Sequence, residues 1–261
     1  MPFIKTNDAE FYYELHGTGH PLVLIAGYTC DHTFWLPILD QLAKQYQVLI
    51  FDNRSAGQTK DKGVPLSAEL MAKDVMAICE ALNIKKPHII GQSMGGSIAQ
   101  TLAAMYPDKI SKLAIVTSAA KWRETLLFSG KTLLDMRSDN LDMGLIIDLM
   151  MPWIYGDPFL LDAQSVQGIK KLMLENPYMQ SLADQARQYN FLCDFDGREQ
   201  LKRITAPTLI VYGVADMASL PSDSKFMADN IRDAELVELD CAHGIVVEMP
   251  VELVRVLCEF L

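Results

Sequence analysis

Six short runs of the chain are apolar almost without interruption, and each is bounded by turn residues: "PLVLIAG" (21–27), "YQVLIFD" (46–52), "PHIIG" (87–91), "KLAIVTS" (112–118), "PTLIVYG" (207–213) and "AELVELD" (234–240). Such runs predict strands covered on both faces, as in a parallel sheet. Near the start, "AEFYYELHGTGHPL" predicts an edge hairpin turning at Gly17 and Gly19. Between the strands the period lengthens. "SAELMAKDVMAICEALNI" (67–84) places Leu70, Val75, Ile78, Cys79 and Leu82 on one helical face, with Ser67 and Glu69 at its start. "MGGSIAQTLAAMY" (94–106) predicts a helix ended by Pro107, and "VELVRVLCEFL" predicts a closing helix after Pro250. Alternation of this kind defines an α/β class, with a mostly parallel central sheet flanked by helices.

From about residue 121 to 195 the strand signal disappears and amphipathic helical stretches follow one another, broken by Gly and Pro. This predicts a helical cap, 121–195, inserted into a core formed by 1–120 and 196–261. The insert is rich in methionine (Met136, Met143, Met150, Met151, Met173 and Met179), with Trp122, Phe128, Trp153, Tyr155 and Phe159 as its aromatics. At helical spacing most of these side chains pack a core. Some should face the cleft, and Trp122, Arg123 and Trp153 are the candidates for a substrate pocket.

Composition contributes chiefly exclusions. The 261 residues are 50% hydrophobic and 21% charged, which is ordinary for a globular chain. A formal charge of −10 discourages a nucleic-acid partner, whose phosphates require a basic surface. No run approaches the ~18 apolar residues of a membrane span. "MPFIKTNDAEFYYEL" carries acids where a secretory leader has a basic start and an apolar run, so a cytoplasmic location is expected. The five cysteines (Cys30, Cys79, Cys193, Cys241 and Cys258) are odd in number and form no C-x-x-C pair. Neither a disulfide framework nor a zinc site is indicated, and no cofactor or metal is expected.

The candidate chemistry centres on "HIIGQSMGGSIAQ" (88–100). A strand turning abruptly into a helix needs strained backbone angles at the corner and small neighbours on either side. Gly91, Gly95 and Gly96 make that room, and the corner residue, Ser93, presents its hydroxyl where ligands bind in open α/β sheets. A neutral hydroxyl is a poor nucleophile; it needs a base, and the base needs an orienting acid. Of five histidines, His16, His20, His32 and His88 read as surface or packing residues, whereas His243 sits in a loop just after the last strand. "PTLIVYGVADMASLP" presents Asp216 three residues beyond a strand end. The loop "TSAAKW" offers no acid, and Asp240 lies too near a strand interior to reach His243 easily. Ser93, Asp216 and His243 stand in the chain order Ser…Asp…His of one architecture. The backbone N–H groups of Met94 and of Tyr28, the latter freed to turn by Gly27, are the candidate donors to a developing oxyanion. One such donor is worth about 2.7–4 kcal/mol in the transition state. Cys30 and Cys241 border the same cleft and read as small packing residues.

With these residues assembled, the chain resembles an α/β-hydrolase over nearly its whole length. The matching pieces are "GTGHPLVLIAG", "FDNRSAGQT", "GQSMGG", "YGVAD" and "CAHGIVVEMPVELVRVLCEFL". Within that fold it is similar to small carboxylesterases, 3-oxoadipate enol-lactonases and pimeloyl-carrier-protein methyl esterases. The resemblance implies ester hydrolysis through an acyl-serine intermediate, with Ser93 as nucleophile, His243 as base and Asp216 as its partner. It also implies, as alternatives, a lactonase or C–C hydrolase using the same residues, for which Arg123 is the cation nearest to hand. An acidic carrier protein docking on Lys121, Arg123, Lys131, Arg137, Lys170 and Lys171 of the cap is a further implication. A non-catalytic small-molecule receptor is the reading from another class. The chain departs from the family pattern at two places. Ala26-Gly27 stands where His-Gly is common, and Ser55 stands for a glycine in the turn that follows Asp52.

Overall fold

The apolar runs become the middle of a twisted sheet. The computed structural model describes residues 2–6 and 8–261. Its strands are β1 (Phe3–Lys5), β2 (Ala9–His16), β3 (His20–Ile25), β4 (Tyr46–Phe51), β5 (Lys60–Asp61), β6 (His88–Gln92), β7 (Leu113–Val116), β8 (Thr208–Gly213) and β9 (Glu235–Leu239). The described residues form one nine-stranded sheet in the order β1-β2-β4-β3-β6-β7-β8-β9, with β5 paired to β2. From β4 through β9 every neighbouring pair is parallel. β1, β2 and β5 are antiparallel additions at one edge.

Alternate residues of the central strands point into two different cores. Val23, Ile25, Leu49, Phe51 and Ile89 join one cluster, together with the helices Ala68–Ala81 and Met94–Met105. Leu22, Leu24, Val48, Ile50 and Ile90 join another, with Leu36–Leu42 and Pro250–Phe260. Both faces are therefore covered, and the runs could not alternate in polarity. The first of these helices starts as its sequence predicts, Ser67 accepting from the Leu70 N–H. Its buried face is centred on Met71, Ala72, Val75, Ile78 and Cys79, with Leu70 and Leu82 at the margins.

Two strand expectations are corrected. β2 and β3 do not form a hairpin: β4 lies between them, antiparallel to β2 and parallel to β3. Gly17 (φ 73°) and Gly19 (φ 123°) do turn the chain, but over the segment that leads into β4, where the carbonyls of Ala43 and Tyr46 leave no room for a Cβ at Gly17 and that of Gln45 leaves none at Gly19. β9 is not covered on both faces either. It is the far edge strand, only Leu239 is buried, and Glu235 and Glu238 face water.

Between β7 and β8 the chain forms five α-helices, Glu124–Ser138, Met143–Ile154, Asp157–Leu161, Ala163–Leu174 and Leu182–Asp194, followed by the 3-10 turn Arg198–Arg203. Entry and exit of this insertion meet in an antiparallel bridge between Lys121 and Asp196. Of its methionines only Met151 is buried, packing with Ile147 and Tyr155 and against Val247 of the core. No helix among the described residues is long and apolar enough to cross a membrane.

Candidate active site

Ser93 closes β6 and opens the helix Met94–Met105 with φ 55° and ψ −123°, a conformation that costs a non-glycine residue on the order of 1–3 kcal/mol. The surroundings hold it there. Its N–H donates to Val116 O at 3.0 Å, and Ser118 Oγ donates to its carbonyl at 2.7 Å. The flanking glycines are required by close approach. A Cβ on Gly91 would run into Gly95 and Ala99, and one on Gly95 into the carbonyls of Ile25 and Ala26.

His243 lies in the turn between β9 and the helix Ile245–Glu248, and is 5% exposed. Its Nε2 is 2.9 Å from Ser93 Oγ and its Nδ1 is 2.8 Å from Asp216 Oδ2. A carboxylate only accepts, so the Nδ1–H donates to Asp216 and Nε2 is left to accept from the serine hydroxyl. Asp216, 2% exposed, is held on both oxygens. Oδ1 accepts from the N–H groups of Ala218 (2.8 Å) and Ser219 (2.9 Å), and Oδ2 also accepts from Ser219 Oγ (2.8 Å). Ser93, His243 and Asp216, far apart in sequence, thus form one continuous hydrogen-bonded chain. Asp240 is exposed and takes no part. Ser219 was not evident from the sequence; its signal is a serine three residues after an aspartate, the spacing of a side-chain-capped turn.

Gly27 packs against Ser93: a Cβ there would fall 3.1 Å from Ser93 Cβ. This brings the Gly27–Tyr28 peptide near the serine. Among the described residues, neither the Tyr28 nor the Met94 N–H donates to a protein acceptor. Beyond Tyr28, Thr29 has φ 61° and its N–H donates to Gln188 Oε1 at 2.9 Å.

The other sequence candidates are held by contacts of their own. Trp122 is buried in the core and its indole N–H donates to Ser97 Oγ at 3.2 Å, on the helix that Ser93 opens. Arg123 donates to Met217 O at 3.0 Å and lies 3.7 Å from Asp223 Oδ2, bracing the loop that carries Asp216. Trp153 lines an open groove of about 750 Å³ with Phe128, Tyr189 and Cys193; Ser93 and His243 do not line it. His16 pairs with Glu14, and the His20 ring packs tilted against His88 with centroids 4.1 Å apart. His32 Nδ1 lies 2.8 Å from Asp52 Oδ1, beside Asp31. Asp31, His32 and Asp52 bring possible ligand atoms within 4.8 Å of one another, but those atoms already bond to the chain, Asp31 through Thr33 and Asn176. Burial pushes the thiols of Cys30 and Cys241 up to about 12, aided at Cys30 by Asp31 and at Cys241 by Glu248, which disfavours the nucleophilic thiolate at both.

At the departures from the family pattern, Ala26 is buried, its carbonyl accepting from Asn53 Nδ2 at 3.1 Å. Ser55 keeps the left-handed backbone (φ 63°) natural to the glycine it replaces, so the turn is retained.

A doubly covered parallel sheet, a strained serine at a strand-to-helix corner, and a histidine and an aspartate delivered by two later loops define a class of hydrolase scaffold. The family model of the alpha/beta hydrolase fold matches residues 20–142. The chain belongs to that family. It is 31% identical over 246 residues to a protein of Azorhizobium caulinodans named as the carbamate hydrolase RutD, covering 92% of this chain and 90% of that one. It is 30% identical to 3-oxoadipate enol-lactonase 1 of Acinetobacter baylyi, covering 88% of this chain and 84% of the relative. Among solved structures, the enol-lactonase from Burkholderia xenovorans LB400 superposes with a TM-score of 0.88 at 24% identity over 99% of both chains. Family membership supports a hydrolytic function.

Proposed function

We propose that this chain is a serine hydrolase that cleaves carboxylic esters through an acyl-serine intermediate, with the insertion 121–195 as a lid over the site. The observation that carries the reading is the 2.9 Å contact between His243 Nε2 and Ser93 Oγ, backed by the 2.8 Å contact to a buried Asp216. Ser93 Oγ attacks the ester carbonyl while His243 Nε2 takes its proton. The oxyanion is met by the N–H groups of Tyr28 and Met94. Collapse expels the alcohol, which leaves with the proton held on His243. Water then attacks the acyl-serine by the same route in reverse, releasing the acid and restoring the serine hydroxyl. Asp216 keeps the imidazole in the tautomer that can accept, and stabilises the imidazolium.

The wall beside His243 favours an apolar acyl group, because Tyr155 closes against Gly244 and packs with Ile147, Met151 and Val247. The ester reading is preferred over a carboxylated lactone, which needs a free cation near the serine: Arg123, named for that role, is committed to Asp223 and Met217 O. A free small-molecule ester is likewise preferred over one on a carrier protein. Four of the six cations named for docking pair with acids beside them, Lys121 with Asp196, Lys131 with Asp135, Lys170 with Asp148 and Lys171 with Glu175, while Arg123 lies against Asp223 and Arg137 donates to Gln185.

A fluorophosphonate probe tests the proposal. The native protein is expected to be labelled at Ser93 and to hydrolyse short-chain nitrophenyl esters. Ser93→Ala should abolish labelling and lower kcat about a millionfold with the fold intact by circular dichroism. A folded native protein that takes no label would support the receptor reading instead. A panel of acyl esters and lactones then ranks the substrates.

A further inference from the structure

Thr29 is β-branched, yet it holds a left-handed backbone (φ 61°), a genuine outlier for such a side chain. Conformations of this kind persist only where neighbouring contacts over-determine them. The contact here comes from far along the chain. Gln188, on the helix Leu182–Asp194, is 0% exposed. Its Oε1 accepts from Thr29 N–H at 2.9 Å, and its Nε2 donates to Arg54 O at 3.2 Å. Arg54 is itself immobilised, its guanidinium forked onto Asp74 at 2.6 and 2.7 Å. One buried amide thus ties the loop after β3 to a rigid turn of the core. Two residues on, Asn176 Nδ2 donates to Asp31 Oδ2 at 2.7 Å, so the insertion grips this loop a second time.

The two peptide planes on either side of Tyr28 share its Cα. One carries the Tyr28 N–H beside Ser93, and the other carries the Thr29 N–H held by Gln188. Fixing the second plane restricts how far the first can turn. We propose that Gln188 is a positioning residue for the oxyanion loop, so that the Tyr28 N–H is aimed at the reacting carbonyl only while the inserted helix is seated. The inference rests on the serine hydrolase reading above. It assigns the insertion a part in assembling the site, besides covering it.

Gln188→Met keeps the volume and removes both hydrogen bonds. A matched reference is Gln180→Met: Gln180 is also buried in the insertion and donates to the Ser55 carbonyl, and its side chain makes no hydrogen bond to Tyr28 or Thr29 among the described residues. With active sites counted by fluorophosphonate titration, Gln188→Met is expected to lower kcat about tenfold with KM within about twofold, because the misaimed donor acts on the transition state. Gln180→Met should lose comparable thermal stability with kcat within about twofold. Equal kcat in the two Met variants overturns the proposal while leaving the hydrolase intact. Failure of the native protein to take the label overturns the hydrolase reading itself.

Discussion

Asp216 accepts from four donors, two backbone amides, one serine hydroxyl and the histidine ring, which leaves its carboxylate little freedom to rotate away from His243. Ser219→Ala removes one of them without emptying the site. The expected result is a fall in kcat of about tenfold, equivalent to roughly 1.4 kcal/mol, with little change in KM and a near-native melting temperature. Steady-state kinetics on a nitrophenyl ester check it. The contrast between Asp216 and Ser219 marks the limit of reading residues from a sequence. Asp216 is legible because an acid just past a strand end has few bland explanations there. Ser219 and Gln188 are not legible, because an ordinary polar residue gains its role from what faces it, and Gln188 meets Thr29 across 159 positions of chain.

Elements were legible where burial forces a composition. β3, β4, β6, β7 and β8 are covered on both faces, so their residues had to be apolar. The pairing of β2 was not legible: two extended segments joined by a glycine turn look like a hairpin whether or not a third strand enters between them, and β4 begins only at Tyr46, well downstream of Gly19, in a contact no local pattern encodes. The same junction has a pH signature. At the start of β6, burial, then His20 and Lys112, push His88 down to about 4. An unfolded histidine takes a proton near pH 6.5, so between these values the unfolded chain binds more protons than the folded one. Stability contributed by neutral His88 is therefore complete above about pH 6.5 and declines as pH falls toward 4. Urea midpoints of the native protein and of His88→Asn, compared at pH 7 and pH 5, should show a smaller loss on acidification in the variant.

At the scale of the molecule, two hydrophobic clusters lie on opposite faces of the sheet, and the insertion contributes Leu127, Phe191 and Leu192 to one of them. The helical character of this region was legible from its missing strands, whereas its contacts were not, since an amphipathic face does not say what it meets. Replacing residues 124–194 by a short glycine link should leave a cooperatively folding sheet with a lower melting temperature, because the flanking Lys121 and Asp196 already pair. Labelling of Ser93 by fluorophosphonate should slow by at least about tenfold, since Thr29 loses its acceptor. Differential scanning calorimetry and labelling kinetics check the two halves separately.

That paired base has a consequence for transplantation. Because the insertion leaves and rejoins the sheet at adjacent points, a foreign helical segment can be grafted there without stretching the scaffold. Such a chimaera inherits the serine, histidine and aspartate intact. Whether it turns over will depend on whether the donor segment brings an acceptor to the amide of Thr29.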